Sequence, residues 1–122
     1  MKKQLFLILT MLLPTMAMAY DAEIDGIYYE FSGTEATVTS GDNKYTGDIV
    51  IPETVAYNET EYSVVCIGDY AFRSCNGLTS ITIPSSVMSI GEQAFRSCNG
   101  LAFISIPNSV TTILVLNVSF YN

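Results

Sequence analysis

Internal repetition constrains this chain more than any other feature. Setting Ile67–Ser89 beside Ile90–Thr112 gives a period of 23 residues in which 15 positions are identical, reading I-G-x-x-A-F-R-S-C-N-G-L-x-x-I-x-I-P-x-S-V. A fixed period of about 20 to 29 residues with one strand per unit is the mark of a stacked solenoid, because each unit can bury its apolar face only against its neighbours. In each unit the inner strand is expected at Leu78-x-x-Ile81-x-Ile83 and at Leu101-x-x-Ile104-x-Ile106. Pro84 and Pro107 lack an N–H and close those strands. Val87 with Ile90, and Val110 with Ile113, suit a second short strand on the return. Ala71-Phe72 and Ala94-Phe95 are expected to form the outer arc as a single helical turn. Asp69 with Arg73 and Glu92 with Arg96 stand at i,i+4 on that turn, worth about 0.2–0.5 kcal/mol per pair. Asn76-Gly77 and Asn99-Gly100 supply residues that tolerate positive φ where the chain turns back.

A weaker copy precedes these two. Aligning Pro52 with Pro84 puts Ile49, Ile51 and Val55 in the columns of Ile81, Ile83 and Val87 and leaves nine extra residues, Ala56–Val64. Tyr57 to Tyr62 within them are read as a hairpin excursion. Upstream, the β-prone runs Ile27–Phe31 and Ala36–Thr39 flank Ser32-Gly33-Thr34 and predict an N-terminal β-hairpin cap over 20–47. Ten of the twelve acids lie between Asp21 and Glu61, which suits a solvated cap that blocks edge pairing. The repeats proper then occupy 48–113, with the degenerate, insertion-bearing unit (56–64) first. After Ile113 the period is lost, and 114–122 is expected to be an irregular tail, leaving the C-terminal cap missing and the polypeptide shortened relative to a complete solenoid. The fold class is therefore mostly β, a short solenoid of 23-residue repeats.

The first segment reads as a targeting signal. Lys2 and Lys3 precede the apolar run Leu5–Leu13, then Pro14 and the small-residue site Ala17-Met18-Ala19, which predicts a signal peptide over 1–19 cleaved after Ala19. The apolar run is too short for the roughly 20 residues a membrane-spanning helix needs, so no membrane insertion is expected after cleavage. The exported chain keeps three cations against twelve acids, a net charge of −9 compared with −7 for the whole sequence. Such a charge repels phosphate backbones and anionic lipid headgroups, and nucleic acid is excluded as a partner. The sequence contains no His, which removes Ser-His-Asp and Cys-His nucleophile systems and His-ligated metal sites. No catalytic residue, metal site or cofactor is assigned.

The two inner-strand segments match the L-x-x-L-x-L strand of leucine-rich repeats. More closely, Ile67-Gly68-x-x-Ala71-Phe72-x-x-Cys75-x-x-Leu78-x-x-Ile81-x-Ile83-Pro84-x-x-Val87 and its copy from Ile90 to Val110 resemble the BspA-type leucine-rich repeats of bacterial surface and secreted proteins. The resemblance covers roughly 48–113, and Gly26-Ile27-Tyr28-Tyr29 is similar to the leader region of such proteins. It implies a curved solenoid and a binding role, commonly adhesion to host or matrix proteins.

The candidate ligand site is the face carrying the residues that alternate with the inner-strand isoleucines: Asp48, Ser80 and Phe103 in one column, Val50, Thr82 and Ser105 in the next. Two readings are open for Phe103, an anchor for a partner or packing beneath the tail with Phe120 or Leu116. Cys75 and Cys98 stand one period apart and are read as small buried fillers, with a disulfide as the alternative. Cys66 shares the column of Ser89 and Thr112 and is expected to be exposed or paired with another chain. Asp21, Glu23 and Asp25 match no closed calcium loop and are read as a solvated acidic terminus. Asn58-Glu59-Thr60 and Asn117-Val118-Ser119 are glycosylation sequons by pattern only. The expected function is a secreted or surface-exposed, non-enzymatic module that binds an extracellular protein or glycan. The alternative is an assembly fragment that self-associates by stacking another chain on its C-terminal end.

Overall fold

The computed structural model describes residues 20–114; the leader at 1–19 and the tail at 115–122, including Leu116, Phe120 and the second sequon, lie outside the described residues. Among the described residues there are nine strands and no helix. They are β1 (Ala22–Ile24), β2 (Ile27–Ser32), β3 (Glu35–Thr39), β4 (Gly47–Val50), β5 (Thr54–Tyr57), β6 (Thr60–Ile67), β7 (Leu78–Thr82), β8 (Ser89–Ile90) and β9 (Thr112–Ile113). One sheet runs β1-β2-β3-β6-β8-β9 with β5 beside β6, and a second joins β4 to β7.

The repeat period becomes a ladder. Val38, Ile67, Ile90 and Ile113 pair in succession across β3, β6, β8 and β9, all parallel. The amides that follow repeat one bond: Gly68 N–H donates to the Val38 carbonyl (2.8 Å), Gly91 to Ile67 (2.7 Å) and Leu114 to Ile90 (3.1 Å). The cap is thus more than the expected hairpin. It is an antiparallel three-strand meander whose last strand, β3, extends the solenoid's own ladder. Acids at Asp21, Glu23 and Asp25 surround the outermost strand, β1, where charge discourages further edge pairing. Asp21 also accepts the Phe31 amide at 2.8 Å.

A hairpin is present at the insertion, but its strands reach beyond the expected Tyr57–Tyr62, from Thr54 on one side and to Ile67 on the other. β5 pairs antiparallel with β6 around Asn58-Glu59, both at positive φ (49° and 65°), the geometry of a two-residue hairpin turn. It is fastened to the cap by aromatic stacking: the Phe31 ring lies 5.3 Å from Tyr57 and 4.0 Å from Tyr62.

Three expectations for the outer arcs need correction. The segments around Ala71-Phe72 and Ala94-Phe95 are successive turns and not helical turns. In the first, alternate amides bond locally (Ala71 to Gly68, Arg73 to Tyr70, Cys75 to Phe72). The intervening ones reach the next coil: Tyr70 to Glu92 at 2.9 Å, Phe72 to Ala94 at 2.7 Å and Ser74 to Arg96 at 2.7 Å. This two-way pattern uses every amide from 70 to 75, and a helix would have left the coils unjoined. Second, without a helical face the i,i+4 pairs do not form as such. Asp69 instead accepts the Glu92 amide (2.7 Å), Arg73 lies over the Tyr70 ring and Arg96 donates to Gln93. Third, positive φ falls on Tyr70, Ser74, Gln93 and Ser97, whereas Gly77 and Gly100 are not among the positive-φ residues. The repeat glycines serve close approach: a Cβ on Gly91 would lie 2.7 Å from the Gly68 carbonyl carbon, and one on Gly100 would lie 2.6 Å from the Asn76 oxygen.

The core between the two sheets is a column of rings and aliphatics. Tyr28, Tyr45, Phe72 and Phe95 follow one another at 5.7, 4.4 and 5.2 Å between centroids, running from the cap through both repeats. The Tyr45 hydroxyl donates to the Thr39 carbonyl (2.6 Å) and accepts the Tyr28 amide (3.0 Å), so the buried phenol is satisfied. Burial holds that phenol protonated far above its ordinary range and pushes Tyr29 up to about 12.

Candidate functional site

The inner face begins with the bulge that the spacing L-x-x-I encodes. β4 and β7 run parallel, with Gly47 opposite Leu78 but Asp48 opposite Ser80, so one residue of β7 is skipped. Gly47 carries the positive φ (72°) at this step. Two consecutive side chains, Thr79 and Ser80, therefore point outward before alternation resumes with Ile81 in, Thr82 out and Ile83 in. The pairs Asp48 with Ser80 and Val50 with Thr82 are adjacent, as the column alignment predicts. All four are exposed.

Asp48 organises the centre of this face. Its Oδ1 accepts the Thr79 hydroxyl at 2.8 Å and the Ser80 hydroxyl at 2.9 Å. Those two hydrogen bonds favour the carboxylate and hold Asp48 below its ordinary range. Thr79 was not legible as part of the site, since strict alternation would have turned it away from Ser80. At the far end of the face Ser85 donates to Glu53 at 3.0 Å.

The third column does not join the first two. Residues 101–106 form no strand: Phe103 and Ser105 lie across a cleft of about 300 Å³ from β7, whose other lining residues are Thr79, Ser80, Ile81, Thr82, Ile83 and Pro107. Ile104 and Ile106 are half-buried where Ile81 and Ile83 are each 8% exposed. Phe103 is 74% exposed, and the residues proposed to cover it, Leu116 and Phe120, lie outside the described residues. Val50, 66% exposed, is a second apolar group on the same face.

The cysteines sit elsewhere, and all three are free thiols. Cys75 and Cys98 are buried in the arcs, with Cys98 donating to the Phe72 carbonyl at 2.9 Å. Burial raises the Cys75 thiol and pushes Cys98 up to about 11, the opposite of an activated nucleophile. Cys66 is half-buried and accepts the Ser89 hydroxyl at 3.1 Å. Among the described residues no group of His, Cys, Asp and Glu could hold a metal ion, and no helix is long and apolar enough to cross a membrane.

Known proteins resemble this arrangement. The family model for the BspA type leucine rich repeat region matches residues 48–122. A leucine-rich repeat protein from Bacteroides ovatus is 34% identical with a TM-score of 0.69; the match covers 81% of this chain but 30% of that one. One from Bacteroides capillosus is 26% identical with a TM-score of 0.64, over 82% of this chain and 96% of the other. A leucine rich cell surface protein from Faecalibacterium prausnitzii is 25% identical with a TM-score of 0.53, over 82% of this chain and 33% of that one. No curated protein matches the sequence.

Proposed function

The chain belongs to the BspA-type leucine-rich repeat family, and from that premise we propose that it is a non-enzymatic binding module, secreted or held at the cell surface, whose inner face binds an extracellular protein or glycan. The observation that carries this reading is the side-chain chemistry of that face. The face presents the carboxylate of Asp48 beside the Thr79 and Ser80 hydroxyls, an exposed aliphatic at Val50, the hydroxyl of Thr82 and, across the cleft from β7, an exposed aromatic at Phe103 with the hydroxyl of Ser105. Large rings supply most of the energy at interfaces, and flanking polar groups supply orientation. The location outside the cytoplasm is supported by the charged and apolar order of 1–19 and by the cell-surface relative. Absence of His and the raised thiols of Cys75 and Cys98 support a non-enzymatic role.

The test is capture of the full chain on an array of extracellular matrix proteins and glycans, beside a Phe103→Ser variant that restores the residue of the preceding repeat. Binding lost in the variant supports the reading, and an array without any specific partner contradicts it. A second reading, stacking of another chain on the last coil, is supported by the exposure of Ile113 (41%) and Leu114 (59%). Light scattering that finds a strict monomer at high concentration would remove it.

A further inference from the structure

In a sheet ladder, alternate residues of a strand turn their N–H and C=O to one neighbour and those between turn theirs to the other. Ile51 donates to the Thr82 carbonyl at 3.0 Å and Gly47 to the Gly77 carbonyl at 2.8 Å, so Ile49 and Ile51 face β7. Asp48 and Val50 turn their main chains to the opposite edge of β4, as Ile81 and Ile83 do on β7. β4 is the first strand of the inner sheet, and among the described residues no strand and no backbone hydrogen bond meets its outer edge. The cap strands join the other sheet and leave a pocket of about 220 Å³ beside β4, whose lining includes Glu23, Gly26, Lys44 and Ile49. The space is open: a Cβ on Gly26 or on Gly47 would meet nothing within 4 Å. Ile49 is left half-buried there, whereas its counterpart in the next coil, Ile81, is buried. An unpaired edge of this kind is a template for an added strand. Its charge is one-sided. From Tyr20 to Glu53 the chain carries eight acids and one cation, Lys44, whose ammonium is drawn to the Arg73 carbonyl on the arc at 2.9 Å. Glu23 borders the pocket, and Asp48 stands on the edge itself, with Oδ1 taken by Thr79 and Ser80 and Oδ2 without a partner among the described residues.

We propose that the outer edge of β4 binds an extended, basic segment of a partner protein by strand addition, with a lysine or arginine over Asp48 and an aliphatic side chain entering the pocket beside Ile49. The proposal rests on the inner face being the binding surface and names the chemistry of its ligand. The pleat sets the alternation: residues paired with Asp48 and Val50 share their face, and the residue between points with Ile49 toward the pocket. Main-chain hydrogen bonds to Asp48 and Val50 supply the affinity, and the carboxylates of Asp48 and Glu23 select positive charge. A second copy of this chain is the poorer occupant, because it would set its own acidic edge against this one.

The probes are two fluorescein-labelled peptides, Lys-Val-Lys-Val-Lys-Val and Lys-Pro-Lys-Pro-Lys-Pro, of equal charge but with the second lacking amides that a ladder needs. Fluorescence anisotropy with the full chain is expected to show the valine peptide binding at least about tenfold more tightly. Val50→Pro removes an N–H on the outer edge and leaves the bond from Ile51 to Thr82 in place, and it should weaken the valine peptide by at least about tenfold. Asp48→Asn should weaken it by about twofold to fivefold, the range of an exposed ion pair. Hydrogen exchange at the Asp48 and Val50 amides should slow by about tenfold in its presence, with Tyr70 and Phe72 unchanged. Equal binding of both peptides, no binding of the valine peptide, insensitivity to Asp48→Asn, or binding without slowed exchange at Asp48 and Val50 would each overturn the proposal. So would a dimer in light scattering whose Asp48 and Val50 amides are already slow without peptide, since a second copy would then hold the edge. If these tests fail while Phe103→Ser still abolishes capture on the array, the binding role of the face survives that failure.

Discussion

Between the arc at 69–75 and the arc at 92–98 three parallel hydrogen bonds join one coil to the next; between β7 and residues 102–107, contributed by the same two repeats, there are none among the described residues. The arcs share Ala-Phe-Arg-Ser-Cys without a change, and their rings stack at 5.2 Å. The inner segments keep Leu, both Ile and Pro but replace Thr79, Ser80 and Thr82 by Ala102, Phe103 and Ser105. The invariant columns therefore build the stack, and the variable columns decide what its inner face presents. In Thr79 and Ser80 the hydroxyls tie β7 to Asp48; Ala102 and Phe103 have no such hydroxyls, and the large ring stands in solvent.

The contrast can be broken most severely at the arcs. Phe72→Ala removes the ring between Tyr45 and Phe95 and should cost about 3–5 kcal/mol, read as a lower midpoint in urea. Gly91→Ala forces a methyl against the backbone of Gly68 and Asp69 and should cost about 1–3 kcal/mol by the same assay. Gly77→Ala meets Thr46 alone, nearest at its methyl at 3.0 Å, and should cost less.

Alkali should also weaken the arcs before the face. Burial raises the Cys98 thiol from its ordinary 9.0 to about 11. Its neutral form is favoured by folding, so that contribution is complete below pH 9.0 and is lost as pH rises through about 11. Asp48 has the opposite sign. Its depressed value means a contribution present above the ordinary carboxylate range and lost as pH falls through the folded value. A pH series of urea midpoints on the parent, Cys98→Ala and Asp48→Asn should separate the two limbs. Under native conditions a thiol reagent should modify half-buried Cys66 well before Cys75 and Cys98. The smallest effect is expected at Phe103→Ser, within about 0.5 kcal/mol in stability, because the ring makes little buried contact. A large destabilisation there would mean that the inner face is part of the lock.

Much of this was readable from the period. Pairing of Asp48 with Ser80, Val50 with Thr82 and Cys66 with Ser89 follows from column alignment, as does the presence of a hairpin turning at Asn58-Glu59, though not its extent back to Thr54. Other features have no local signal. Non-glycine residues at positive φ, Tyr70, Ser74, Gln93 and Ser97, are held there by hydrogen bonds between coils, so propensity suggested a helical turn. Gly77 and Gly100 looked like φ > 0 residues until the stacked neighbour revealed a steric requirement. Entry of β3 into the ladder was hidden because Val38 lies 29 residues before Ile67, off the period. At the site, the bulge opposite Gly47 brings in Thr79, and the separation of Phe103 and Ser105 from β7 depends on side chains that the repeat leaves free to vary.

Native-state hydrogen exchange on the free full chain compares the two regions within one molecule. The locked arc and open edge described above predict that the amides of Phe72 and Ser74 exchange at least about a hundredfold more slowly than those of Ile81 and Ile83. Equal protection at all four would contradict the account, because it would mean that the inner strands are joined as firmly as the arcs.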